Sequence, residues 1–177
     1  ELLLKRDGKP ASQVVAKPAS PAKSGEPLFA SKQLHSARAA VEINIELNGA
    51  RELYLLITDA GDGKSCDHAD WAEPRLVTAS GEVKLTDLKW RSATTGFGSI
   101  NLHRSVGGGQ LQIGERKFEY GIGTHATSLI AYDLPEGVQR FMATAGLDVS
   151  GTRQGNGATV EFFVYTTPPP QEVIAVV

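Results

Sequence analysis

One cysteine, Cys66, occurs in the 177 residues. A lone cysteine excludes an intrachain disulfide and any zinc site built on cysteines. It says nothing about the compartment, since a domain of this size can bury a core without bridges. No apolar run is long enough to cross a bilayer as a helix. The formal net charge is only -2, and no basic cluster with interleaved aromatics occurs. A nucleic-acid or anionic-membrane partner therefore has no electrostatic footprint here. There is no initiator Met, and Glu1-Leu2-Leu3-Leu4 is too short for a signal peptide, so the chain reads as a piece of something longer.

What is present falls into three stretches. Residues 1–26 turn quickly to Pro, Ala, Lys and Ser, with Lys9-Pro10-Ala11-Ser12 echoed by Lys17-Pro18-Ala19-Ser20. Proline removes donors and favours extended backbone, so this reads as a linker, with Leu2–Leu4 available as an edge strand. Residues 27–167 carry many short strand-like runs between glycine-rich turns. Val41, Ile43, Ile45 and Leu47 alternate with polar residues, Asn48-Gly49 turns the chain, and Glu52–Thr58 returns, which predicts a hairpin. An ordered segment is expected over 83–90, and further strands over 75–78, 111–113, 118–126, 128–134, 139–147 and 158–165. No amphipathic helix stands out. The fold class expected is all-β, a jelly-roll β-sandwich. The 168–177 tail opens on three prolines and then turns apolar, which suits one more edge strand.

The stretch that packing alone does not explain is Asp59–Pro74. Asp59, Asp62, Asp67, Asp70, Glu73, His68 and Trp71 crowd into what reads as one loop after the Glu52–Thr58 strand. So many carboxylates need a cation, hydrogen-bond donors or a polyol. Calcium takes such hard oxygen ligands, and Asp59, Asp62 and Asp67 are the metal candidates. Alternatively, Asp70 and His68 bond sugar hydroxyls with Trp71 as an apolar platform. The bland reading is an Asp-rich turn capping its own backbone, with Trp71 in the core.

His125 follows Gly121-Ile122-Gly123. A neutral imidazole offers one donor and one acceptor, which suits a pair of hydroxyls, or else it is a satisfied buried histidine. Phe97, between two glycines, is expected to be exposed and able to stack on the C–H face of a sugar ring. Trp90, ending an apolar run, reads as core. Arg153 and Asn156, in a glycine-rich loop, are sugar contacts or ordinary solvated residues. No nucleophile constellation is evident. Cys66 lies in an acidic loop that would raise its thiol pKa, Gly107-Gly108-Gly109 lacks the Lys-Ser/Thr of a phosphate loop, and no His spacing supports a metal hydrolase.

Several blocks resemble one family. Leu85-Thr86-Asp87-Leu88-Lys89-Trp90 with Gly96-Phe97-Gly98, Tyr120-Gly121-Ile122-Gly123-Thr124-His125-Ala126 with Ile130-Ala131-Tyr132-Asp133-Leu134, and Val160-Glu161-Phe162-Phe163-Val164 are similar to the NPCBM family (family 51 carbohydrate-binding modules). Asp67-His68-Ala69-Asp70-Trp71-Ala72 resembles its closing segment. The resemblance implies a galactose-binding-like β-sandwich and a non-catalytic role. It also implies a glycan ligand, often a structural calcium, and further domains of the same polypeptide, usually a secreted glycoside hydrolase. Location outside the cell or at its surface follows from that alone. The order departs from the family, because the closing segment comes first. This predicts a circular permutation with the old ends joined through Thr78–Lys84, against two clipped tandem modules. The other functional readings are a sandwich that has lost sugar binding and serves structure or protein interaction, and, less favoured, a small metal-dependent hydrolase.

Overall fold

The computed structural model describes residues 23–155 and 157–175. The linker reading of 1–26 and the Leu2–Leu4 edge strand fall almost wholly outside these residues, as does Asn156. Thirteen strands are present among the described residues: β1 (Phe29–Ala30), β2 (Ala40–Glu46), β3 (Glu52–Thr58), β4 (His68–Thr78), β5 (Gly81–Lys84), β6 (Ser92–Thr94), β7 (Asn101–Leu102), β8 (Leu111–Ile113), β9 (Arg116–Phe118), β10 (Gly121–His125), β11 (Ser128–Asp133), β12 (Val138–Leu147) and β13 (Glu161–Tyr165). A single 3-10 turn follows β5, and two one-turn helices, α1 (Val149–Thr152) and α2 (Gln171–Ile174), follow β12 and β13.

The strands form two antiparallel sheets facing one another. One has the order β1-β13-β3-β11-β6. The other runs β2-β12-β4-β10-β7, with β5 also paired to β4. A small hairpin, β8–β9, stands apart from both. One continuous core fills the space between the sheets. Leu53, Leu55, Ile57, Ile130, Phe162 and Val164 come from the first sheet, and Ile43, Trp71, Leu76, Ile122, Phe141 and Leu147 from the second. This is the all-β sandwich that the strand pattern predicts.

The predicted hairpin of 41–47 and 52–58 is not formed. β2 alternates as expected, with Ile43 buried between exposed Glu42 and Asn44, but it pairs with β12, while β3 pairs with β11 and β13 in the opposite sheet. The Asn48-Gly49 turn is real: both residues have positive φ, and Ala50 N–H donates to Leu47 O at 2.9 Å. It carries the chain across the core. β2 and β3 each bury an apolar face, and two such faces are satisfied better against one another than side by side in one sheet. The apolar tail also differs from expectation, since Gln171–Ile174 forms a helical turn after the prolines.

The central strand β4 has β12 on one side and β10, then β5, on the other. The switch of neighbour occurs at Glu73-Pro74. Glu73 takes φ 49, and the β12 register slips between Met142 and Thr144, so two residues of β4 oppose Ala143. Proline has no N–H to give a ladder, and a bulge is where a central strand tolerates it. The extra residue also restores Leu76 to the core face after Trp71.

The N-terminal portion supplies β1–β4 and the remainder supplies β5–β13. They interlock: β1 and β3 flank β13, and β2 flanks β12. Two clipped modules would leave their edges open, and the strands here close into one body. We expect urea unfolding to show one cooperative transition. Phe162→Ala, which removes a fully buried ring between the two portions, should lower stability by about 3–5 kcal/mol. Two separate transitions would indicate two bodies.

Candidate functional site

The acidic stretch divides where β4 begins. Residues 59–67 are loop, and from His68 the chain is pleated, so side chains alternate between faces. Ala69 and Trp71 point into the core, and His68, Asp70 and Ala72 point to the outer face of the six-stranded sheet. Trp71 is 0% exposed, with its ring edge-on to Phe162 (4.9 Å, 89°) and tilted against Phe141. It is a core residue, and the platform reading of the sequence is corrected.

Asp70 is also fully buried, which corrects its reading as a sugar ligand. Its two cross-strand partners are Gly123 on β10 and Gly146 on β12. A Cβ on Gly123 would lie 2.2 Å from Arg104 O, and one on Gly146 would lie 2.3 Å from Ala39 O. The glycines let these loops press onto the sheet and enclose the carboxyl between them. Neither Asp70 oxygen meets a donor among the described residues. Its neighbour is Asp148, whose Oδ1 accepts from Ser150 N–H (2.8 Å) and Oδ2 from Gln112 N–H (3.0 Å). Burial, and then the Asp148 carboxylate, push the Asp70 pKa well up. Both causes bias Asp70 toward its neutral, protonated form. Asp148 fastens the start of α1 and the β8 strand to β4, since its own N–H donates to His68 O at 2.9 Å.

The loop itself is held by hydrogen bonds of the Asp-turn kind. Asp59 Oδ1 accepts from Gly61 N–H at 3.0 Å, Asp62 Oδ1 accepts from Thr159 Oγ1 at 2.7 Å, and Asp67 Oδ1 accepts from Thr159 N–H at 3.0 Å. Asp67 is buried and its Oδ2 has no partner. Burial, with Asp62 and Asp59 nearby, pushes its pKa up to about 7. Among the described residues, no three His, Cys, Asp or Glu side chains gather as a metal-holding group. A cage of the Asp59, Asp62 and Asp67 side chains does not fit this geometry. Asp67 Oδ2 is the buried loop oxygen without a partner among the described residues, and a cation there would take main-chain carbonyls and water as further ligands.

His125 and His68 are direct cross-strand partners at the ends of β10 and β4, with ring centroids 5.4 Å apart. Phe97 stands 5.6 Å from His125 on the other side and is 66% exposed. Ala126 N–H donates to Asp67 O at 3.1 Å, so the acidic loop and the His125 turn lie side by side at one rim. His125 Nδ1 is 2.7 Å from Ala126 O. A carbonyl only accepts, so Nδ1 carries the hydrogen and Nε2 the lone pair. Burial, and then the Lys64 charge, hold the His125 pKa below the ordinary imidazole range. Burial and His125 do the same for His68. His68 Nδ1 meets Ser150 Oγ at 2.7 Å.

Arg153 is exposed just past α1. It lines a cleft of about 360 Å3 between α1, the 105–109 loop and the β8–β9 hairpin. Of the sequence candidates, His68, His125 and Phe97 come together, Arg153 lies beyond Ser150, and Asp70 and Trp71 belong to the interior. Ser105, Asp148 and Ser150 were not singled out in the sequence. A lone Ser or Asp carries no pattern, and only the packing of loops on the sheet brings them to the site.

A carboxyl with a raised pKa stabilises the fold while protonated. The Asp67 contribution is complete below the unfolded value of 3.8 and is lost as pH rises through about 7. Asp67→Asn keeps the Thr159 contact without the charge. We expect it to be more stable than the parent at pH 8 by about 2 kcal/mol, with the difference shrinking steadily as pH falls and vanishing near pH 4, read as melting temperature across pH. Added calcium that stabilises the parent and not the variant would identify a bound cation at this carboxylate.

One family model matches the chain, described as the NPCBM/NEW2 domain, over residues 22–77 and 81–168. The two matched pieces part at the turn between β4 and β5, inside the stretch where the sequence order places the joined ends. No curated protein and no solved structure matches the chain. With most of its length matched and one closed sandwich holding both pieces, the chain belongs to the NPCBM/NEW2 domain family, a family of carbohydrate-binding modules.

Proposed function

We propose that the rim formed by Phe97, His125 and His68 holds the terminal, galactose-like pyranose of a glycan, without catalysis. The observation that carries this reading is the row of three rings. An exposed aromatic face offers an apolar surface for the C–H side of a sugar. Beside it, a neutral imidazole presents an Nε2 lone pair that accepts from a hydroxyl. Few groups take part and little surface is covered, so affinity for one sugar is weak. Such a module works by raising the local concentration of glycan around an attached enzyme. A secreted or cell-surface glycoside hydrolase is the partner domain this reading requires. Calcium enters only as a stabiliser of the acidic loop through Asp67, not as a ligand to the sugar.

The alternative, a sandwich that has lost sugar binding and serves structure or protein interaction, has one observation in its favour. His125 is only 4% exposed and its Nδ1 is already used within the loop.

A glycan array run with and without calcium separates the two. Binding to terminal galactosides that falls about tenfold in Phe97→Ala supports the sugar site. Binding should also weaken on acidification, as the low-pKa imidazoles take up protons and Nε2 of His125 ceases to accept. A blank array with folded protein favours the structural reading.

A further inference from the structure

The cleft beside this rim has a chemistry of its own. Its walls are the β8–β9 hairpin, carrying Lys117, and the residues around α1, carrying Ser150 and Arg153. Its end is the Ser105–Gly109 loop. Lys117 and Arg153 approach it from opposite elements, and neither is in an ion pair among the described residues. By contrast, the neighbouring Arg116 is paired with Glu42 at 2.6 Å. Ser105 is 1% exposed, and its Oγ has no hydrogen-bond partner among the described residues. A buried hydroxyl without a partner is a standing penalty unless something it bonds arrives.

The floor does not repel an anion as its composition suggests. Asp148 has each oxygen engaged by a main-chain N–H, and burial biases the adjoining Asp70 toward its neutral form. Asp148 remains an acceptor in the floor, but it is 1% exposed, and the exposed charged groups at the opening are the two cations. The cleft also adjoins the proposed sugar rim at two points. His68 Nδ1 meets Ser150 Oγ at 2.7 Å. The Phe97 loop reaches the other end, where a Cβ on Gly98 would lie 3.1 Å from Val106 Cγ2.

We propose that this cleft is a second subsite, taking the anionic substituent, a carboxylate or a sulfate, of an acidic glycan whose other end lies on Phe97. This inference rests on the sugar-binding reading and narrows it to uronic-acid or sulfated chains. Lys117 and Arg153 supply the charge, Ser105 Oγ donates to an anionic oxygen, and the glycine loop leaves the mouth open. At Gly107, a Cβ would make ordinary contacts of 3.6 Å with Ser150 Oγ and 3.7 Å with Ser105 Oγ. A larger side chain there would fill the cleft without forcing the backbone.

The test uses the full chain and three probes: methyl galactoside, methyl galacturonide and galactose sulfated at its primary hydroxyl, each titrated at low and high salt. At low salt at least one acidic probe should bind about fivefold to tenfold more tightly than the neutral one. Added salt should erase most of that preference. Gly107→Leu and Lys117→Ala should bring the acidic probe down to the level of the neutral one. The exposed Lys117 variant serves if the leucine variant does not fold. Neutral and acidic probes binding alike, or a preference untouched by Lys117→Ala, overturns the acidic subsite and leaves the module reading standing. No binding to any of the three, with folded protein, overturns both.

Discussion

The pleat of β4 is the constraint on which the remaining structure depends. It has neighbours along both edges for most of its length, as β3 does in the opposite sheet, and its residues must alternate between the core and the outer face. With Trp71 facing inward against Phe162 and Phe141, His68 and Asp70 are committed to the other side. A shift of one residue would bury His68 and Asp70 among Leu and Ile and expose the indole. The identity of the site is thus fixed by where a tryptophan packs, although the tryptophan touches no ligand.

The second layer follows from the first. An outward-facing carboxyl in the middle of a sheet has to be solvated or enclosed. Here it is enclosed, because both cross-strand neighbours are glycines and the loops at Arg104–Ser105 and Ala39 can lie directly on the backbone. Asp148 beside Asp70 accepts from Gln112 N–H and Ser150 N–H, and those bonds anchor the β8–β9 hairpin and α1 over the sheet. The cleft is the gap left at the rim of this covering, and the His68–Ser150 contact joins it to the ring row.

The interlocking of the two matched pieces gives physical sense to the reversed order of the family blocks. Trp71 comes from the first piece and Phe162 from the second, and they meet ring to ring in one core. β1 and β3 hold β13 between them. A sandwich whose ends lie near one another can be cut at one turn and joined at another without altering a core contact. The family match parts at the short turn from β4 to β5, which is where a permuted order would require the join.

Much of the architecture was legible from alternation and turn residues alone: an all-β chain, the strands around His125 and Phe162, and an exposed Phe97. Family resemblance was carried by short blocks that keep their spacing whatever their order. What the sequence could not state was partnership between strands. Alternation says that a strand has one buried face, not which sheet it joins, so Asn48-Gly49 passed for a hairpin turn when it is a crossing. Nor could it say where the acidic loop ends. His68-Ala69-Asp70-Trp71 reads as crowded polar loop until β10 and β12 pair with it on either side, and only then do Asp70 and Trp71 become interior groups. The sequence by itself determined which residues are able to bind sugar or stack on it. Tertiary structure decided which of them reach the surface, because burial depends on what packs above a residue, and that is contributed by segments far away along the chain.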